Sequence, residues 1–213
     1  MSGTAMARRT KADALATRDN ILDCAEALFV RQGVARTTLQ QIAFEAGVSR
    51  GAIYWHFEDK VAVFDAMLGR ARMPLESAML TLQQSDRLDP FRDLGEYASL
   101  VFRLMENDPK ASRVYEIVTL KVEYVDELTP LRIRSGEMAS RWRALVENRI
   151  QDAVDSGLAR ATVDPAGVAL ALWAIMDGLL RAWLLAPRSF SLTKLGMDAM
   201  LTHIDALRLR PAA

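Results

Sequence analysis

Hydrophobic positions along the chain recur every three to four residues, the spacing of an amphipathic helix. Nowhere do they alternate in the two-residue rhythm of a strand flanked by hairpin turns. Over residues 17–32, Ile21, Leu22, Ala25, Leu28 and Phe29 share one face, with Thr17 available as N-cap and Gly33 just past the end. Two short helices come next, over about 39–46 and 50–57. Thr37 or Thr38, each three residues before Gln40 or Gln41, offers the first a capping box; Gly47 makes the turn, and Ser49 caps the second. Beyond residue 58 the segments lengthen. Asp89-Pro90, Asp108-Pro109, Thr129-Pro130 and Asp164-Pro165 each set a capping side chain before a proline whose missing N–H is harmless at the first helical position. The helices so predicted cover about 59–84, 90–106, 109–125, 130–155, 164–186 and 191–209. Pro74 should kink or break the first of them, and Asp155-Ser156-Gly157 and Pro187 mark further ends. The fold class is all-α.

Composition narrows the function. The chain has 213 residues, of which 51% are hydrophobic, enough for one large domain or two small ones. A lone Cys24 excludes an internal disulfide or a multi-cysteine zinc cluster, and its place on the inward stripe of the first helix suits a small buried hydrophobe. His56 and His203 stand in no metal-ligand spacing, and no glycine-rich phosphate loop follows a strand. No metal, cofactor or catalytic activity is therefore expected. The amino terminus lacks the apolar core of a secretory signal. The longest apolar run, Ala166 to Met176, stops at Asp177, short of the roughly 20 residues of a membrane span, so a cytoplasmic protein without membrane contact is expected.

Charge is balanced, with 27 basic and 27 acidic residues. Residues 1–60 carry eight basic and seven acidic side chains, so any basic face there must be sorted by geometry.

One motif has that geometry. Counted from Leu39, Ala43 is fifth, Gly47 ninth and Ile53 fifteenth. A small residue lets two helices approach, glycine makes the sharp turn, and an apolar residue on the second helix closes the angle. This is the helix-turn-helix arrangement over residues 38–57, with Ile42, Val48, Ile53 and Phe57 as its small core. Tyr54, Trp55 and His56 cannot all point inward, because each helical step rotates about 100°. Arg50 has the planar fork that reads guanine, while Thr38, Tyr54, Trp55, His56 and Lys60 can donate to phosphates, and Gly51 lets the backbone come close.

The run TTLQQIAFEAGVSRGAIYWHFEDKVAVFDAML resembles the DNA-binding domain of TetR-family repressors. MARRTKADALATRDNILDCAEALF is similar to the start of the AcrR/TtgR-type branch, which controls multidrug efflux pumps. The likeness continues weakly through GLLRAWLLAPRSFSL. It implies a helix-turn-helix DNA-binding domain over 15–75 and a helical ligand-binding and dimerisation domain over 76–213. It also implies a homodimer on a pseudo-palindromic double-stranded operator, released by a small-molecule effector. Carried residue by residue, the resemblance makes Thr38, Ser49, Arg50, Tyr54, Trp55, His56 and Lys60 operator contacts, with Arg50 as base reader and Met6 to Lys11 as a basic arm. A TetR-type regulator of a metabolic operon, or a helical ligand-binding protein without DNA affinity, are the competing readings.

In the second domain the helix from Pro165 is apolar around its circumference through Met176. Asp177 then stands on the stripe of Trp173 and Arg181. It reads either as a surface pair with Arg181 or as a buried acid that selects cationic or hydrogen-bonding ligands alongside Trp173 and Met176, so that small aromatic or cationic effectors are expected. The resemblance adds Tyr115 and Thr119 to this ligand set. Leu192, Leu195, Ala199, Met200 and Leu207, with Ala169, Leu172 and Leu179 opposite, form the expected dimer face. Glu106 is expected on a solvated face or in a local pair.

Overall fold

The computed structural model describes residues 3–84, 89–122, 128–186 and 189–209, with side chains from residue 11 onward except at 71–75, 78, 132 and 135. Nine α-helices are found among them: α1 (Gly3–Gln32), α2 (Leu39–Glu45), α3 (Arg50–His56), α4 (Lys60–Gln84), α5 (Pro90–Asn107), α6 (Pro109–Glu116), α7 (Thr129–Asp155), α8 (Pro165–Leu185) and α9 (Leu192–Asp205). A π-turn, Ile117–Lys121, continues α6. The described residues contain no strand, only an isolated antiparallel bridge between Ala159 and Arg208.

Several ends differ from expectation. Helix α1 begins well before Thr17, whose hydroxyl donates to the Asp13 carbonyl within the helix instead of capping it. The alanines at 5, 7, 12, 14 and 16 favour continuing the helix upstream. Pro74 does not break α4. It removes the single N–H that would reach the Arg70 carbonyl, and the turns on either side keep theirs. The cap of α2 is Thr38, in a reciprocal box with Gln41, whereas Thr37 turns inward and donates to the Gly33 carbonyl at 2.7 Å. Asp89 and Asp108 cap α5 and α6 through backbone amides two and three residues on. Asp164 makes no such bond, and Thr129 is already the first residue of α7.

The chain divides into two compact units that interleave in sequence, Met1–Ala71 with Arg113–Arg132, and Arg72–Ser112 with Ile133–Ala213. In the first unit Ile21, Leu22, Ala25, Phe29, Ile42, Ile53, Phe57 and Phe64 share one core with Val114, Ile117, Leu128 and Leu131. Cys24 is half-buried, not buried, and its thiol faces the Asn20 side chain. Burial first, then Glu45 and Asp23, pushes that thiol's pKa up and keeps it protonated.

The second unit is built on α5, α8 and α9, with α9 packed against both of the others. Phe91, Leu94, Ala98, Val101 and Phe102 are buried on α5. Gly196 lies under the Phe102 ring, where a Cβ would come within 2.7 Å, so only glycine permits this approach. The packing overturns most of the expected dimer stripe. Leu192, Met200, Leu207, Ala169 and Leu172 are buried within the unit, because α9 spends its apolar side on its own neighbours. Helix α8 is nevertheless long and apolar enough to cross a membrane, with mean hydropathy 1.7, although the run read from sequence stopped at Asp177. Only 28% of that apolar window is covered. The open side carries Gly167, Leu170, Ala174, Gly178, Ala182 and Leu185.

Candidate nucleic-acid interface

Local bonds fix the angle between α2 and α3. Gly47, at φ +65°, donates to the Phe44 carbonyl, and Val48 donates to that of Ala43 at 2.9 Å, closing a turn that a residue with Cβ would strain. Ser49 caps α3 by accepting from the Ala52 amide. Ile53, fully buried, and Ala43 seal the two helices together, with Val48 half-buried beside them. From α1, Asn20 donates its side-chain amide to the Ala46 carbonyl at 2.8 Å. Four consecutive features, cap, helix, turn and cap, are thus locked to one another and to α1.

The remaining faces of α3 point outward. Arg50, Gly51, Tyr54 and Trp55 are exposed, Trp55 by 74%. The Arg50 guanidinium lies 5.8 Å from the centre of the Tyr54 ring one turn on, so the aromatic face steadies the fork that would read a base. Thr38 and Ser49 are exposed at the two helix starts. There the free N–H groups of each first turn supply donors for phosphate. His56 is half-buried against Trp55, ring centres 4.6 Å apart. Burial, with a smaller contribution from the Arg18 charge, holds its pKa below the ordinary value, so the neutral imidazole prevails near pH 7.

Lys60 departs from the expected set. It is buried, and its ammonium donates to the Ala35 carbonyl at 3.1 Å. It closes the α1–α2 turn from within instead of joining the exposed ridge, a correction that no helical periodicity could supply. Of the basic arm, residues 6–10 are helical in backbone with side chains outside the described residues, and Lys11 is exposed. Phe44, 86% exposed on α2, is an outward aromatic that the sequence reading left unassigned.

The proposed ligand residues fall in different units. Tyr115 on α6 and Thr119 in the π-turn are half-buried in the first. Trp173, Met176 and Asp177 lie on α8 in the second, where Met176 is buried and Trp173 half-buried. Asp177 accepts from Arg181 Nε at 2.6 Å, so of its two readings the ion pair is the one formed. Glu106, expected on a solvated face, instead caps α9, accepting from the amides of Leu192 and Thr193 at 3.1 and 2.9 Å. The hydrogen bonds from Thr193 hold its carboxyl below the usual range against the opposing effect of burial. Beside it lies an open depression of about 470 Å³ lined by Glu106, Trp183, Ser189, Phe190 and Ser191. Arg149, 2% exposed, is a further buried polar group; it donates to the Leu82 carbonyl and faces Asp152 at 3.5 Å.

A capped two-helix motif presenting arginine and aromatics outward, in a chain with a second helical unit, defines a helix-turn-helix DNA-binding regulator. Residues 21–67 match the profile of bacterial regulatory proteins of the tetR family, and residues 89–208 match that of the MAATS-type transcriptional repressor C-terminal region. The chain belongs to the TetR family. It is 37% identical over 201 residues to the HTH-type transcriptional repressor BepR of Brucella suis, covering 94% of this chain and 96% of that one. Among solved structures it resembles NalD, the secondary repressor of the MexAB-OprM multidrug efflux pump in Pseudomonas aeruginosa, with a TM-score of 0.83 and 30% identity over 92% of this chain and 98% of that one. It is also similar to SmeT in complex with triclosan, at a TM-score of 0.80 and 30% identity, over 93% of this chain and 96% of that one.

Proposed function

We propose that the protein is a ligand-responsive repressor of a multidrug efflux operon, released from its operator by small aromatic compounds. The observation that carries this reading is likeness along nearly the whole chain, through both units, to repressors of efflux pumps. The exposed Arg50, Tyr54 and Trp55 ridge supports the DNA half of it. In the proposed division, residues 15–75 bind DNA and 76–213 bind ligand and a second copy. Thr38, Ser49, Tyr54, Trp55 and His56 contact phosphates, Arg50 reads a base, and Gly51 admits the backbone. Aromatic effectors are favoured over cations because the Asp177 carboxylate already has Arg181 as its partner. In the second unit Trp173 and Met176 offer flat and adaptable contact instead, and Tyr115 and Thr119 are the candidates in the first.

A homodimer places two recognition helices about 34 to 36 Å apart, one turn of DNA, on a pseudo-palindromic operator. The open face of α8 supports this pairing: Leu170 and Leu185 flank small residues that let a second helix approach closely. Helix α4 starts at Lys60, four residues after α3 ends, so a shift in α4 reaches the recognition helix through very little chain. Binding of the purified protein to its own upstream DNA at fixed salt, titrated with triclosan, tests the whole reading. Specific binding relieved by triclosan is the expected result; binding to all DNA alike, or none, rejects it.

A further inference from the structure

One exposed patch of the first unit takes part in none of the contacts assigned so far. Helix α2 turns Leu39, Ile42 and Ala43 inward, which leaves Gln40, Gln41, Phe44 and Glu45 on its outer side. Phe44 is 86% exposed, above Trp55 at 74% and Leu185 at 70%. A lone exposed phenyl is ordinary, but this one walls a depression of about 490 Å³ between α1 and α2. The buried Leu28 lines that depression from α1. Arg31 and Glu45 also line it and face each other at 3.7 Å, with 59% and 40% of their side chains open to water.

The same patch therefore carries a projecting aromatic, a hollow able to receive one, a cation and an anion. A two-fold contact requires that composition, because a residue that meets a given position on the partner must find its own position met in return. Phe44 of each copy then enters the hollow of the other, and Arg31 of each meets Glu45 across the axis. DNA suits the patch less well, since the Glu45 carboxylate would stand against phosphates and a phenyl offers them no donor. Yet the depression reaches Thr38, the proposed phosphate contact at the start of α2, so the patch borders the operator-binding ridge. A partner seated there is one held on the same DNA. The pairing proposed through α8 uses the second unit and leaves this patch unassigned.

We infer that Phe44, Arg31 and Glu45 form a second self-complementary surface, through which two DNA-bound dimers of this chain touch on adjacent operators. The contact rests on the repressor reading and adds to it cooperative occupancy of neighbouring sites. It need not hold dimers together in free solution. Two dimers on one DNA see each other at an effective concentration of about the millimolar range, where a small patch suffices.

The test uses the full-length protein and its own upstream DNA fragment. Footprinting of that fragment defines one operator, which is then bound singly and as tandem pairs whose centres are moved apart one base pair at a time. At the best spacing, wild-type protein should fill the second operator about tenfold more tightly than a single one. The gain should recur about every 10 to 10.5 base pairs, once per turn of DNA. Phe44→Ser should keep single-operator affinity within about threefold and cut the gain to less than about twofold. Arg31→Glu should cut it too, by setting carboxylates against each other, and Arg31→Glu/Glu45→Arg should restore it. Independent filling by wild-type protein at every spacing overturns the contact, a result that stands even if a variant does not fold. So does a gain that survives Phe44→Ser, which would make the coupling a property of the DNA. A loss of about tenfold at a single operator in Phe44→Ser would make Phe44 a DNA contact and overturn it as well. Wild-type protein that protects no segment of the fragment rejects the repressor reading itself, before any tandem pair is bound.

Discussion

The ammonium of Lys60 donates to the carbonyl oxygen of Ala35 at 3.1 Å, tying the start of α4 to the turn between α1 and α2. A lysine so placed braces the unit that presents Arg50 from a buried position, away from the exposed ridge. Lys60→Met should therefore lower the stability of the protein, by about 1–3 kcal/mol for a buried polar group left without its partner. The salt dependence of operator binding should stay as it is. A slope of affinity against salt that falls by about one charge would make Lys60 a phosphate contact after all.

Arg50, the proposed base reader, is exposed with its guanidinium over the Tyr54 ring. Arg50→Ala should cost about 1–3 kcal/mol of operator affinity, concentrated at one base pair per half-site. Binding to a set of single-base operator variants measures this. An equal loss across all of them would reassign Arg50 to the DNA backbone.

The helix-turn-helix was readable because its determinants are local. Thr38 and Gln41 are three residues apart, Gly47 and Ser49 two, and each acts on backbone within its own turn. What periodicity could not supply were partners distant in sequence. Glu106 reads as a surface acid until it is seen capping α9 some 86 residues on, and nothing in the sequence pairs Arg113 with Glu26, 87 residues away. The dimer face failed similarly. A stripe through Leu192 and Met200 looks the same whether it meets a second copy or, as here, the protein's own α5 and α8. At Pro74 the expected break does not occur, and α4 runs on from Lys60 to Gln84.

Asp177 and Arg181 form an ion pair one helical turn apart, at 2.6 Å, with the aspartate half-buried and the arginine exposed. Such pairs are worth only about 0.3–0.5 kcal/mol. Asp177→Asn should leave the melting temperature within a degree or two, and operator affinity without effector unchanged. Its affinity for a cationic probe such as ethidium, measured by fluorescence titration, should also hold within about threefold. A loss of tenfold or more confined to cations would restore the buried-acid reading.

His56 titrates below its ordinary 6.5 because it is partly buried and Arg18 is near. The unfolded chain then binds more protons than the folded one in that range. The contribution to stability is full above about 6.5 and is lost as pH falls through the folded value. The effect is small, since the ring remains partly open to solvent. Operator affinity should move the other way, because a protonated imidazole adds a positive charge beside phosphates. Between about pH 7.5 and pH 5.5, His56→Gln should show a smaller drop in melting temperature than wild type and a smaller gain in DNA affinity at constant salt.

The open face of α8 makes the sharpest claim about assembly. Leu170 is 50% exposed and Leu185 70%, on the side opposite the buried Leu172 and Met176. If a second copy covers them, Leu170→Glu/Leu185→Glu places two carboxylates in an apolar contact on each protomer, where neither finds a partner. The variant should sediment as a folded monomer with unchanged helical content, and operator affinity should fall by far more than either recognition helix alone accounts for, since both half-sites are no longer engaged together. Leu172→Ala serves as the contrast. That side chain is fully buried inside the unit, so its truncation should cost about 2–5 kcal/mol of stability while leaving the oligomeric state of the folded fraction unaltered. A glutamate variant that stays dimeric would move the interface elsewhere. One that becomes monomeric but keeps full operator affinity would mean that a single helix-turn-helix suffices for recognition.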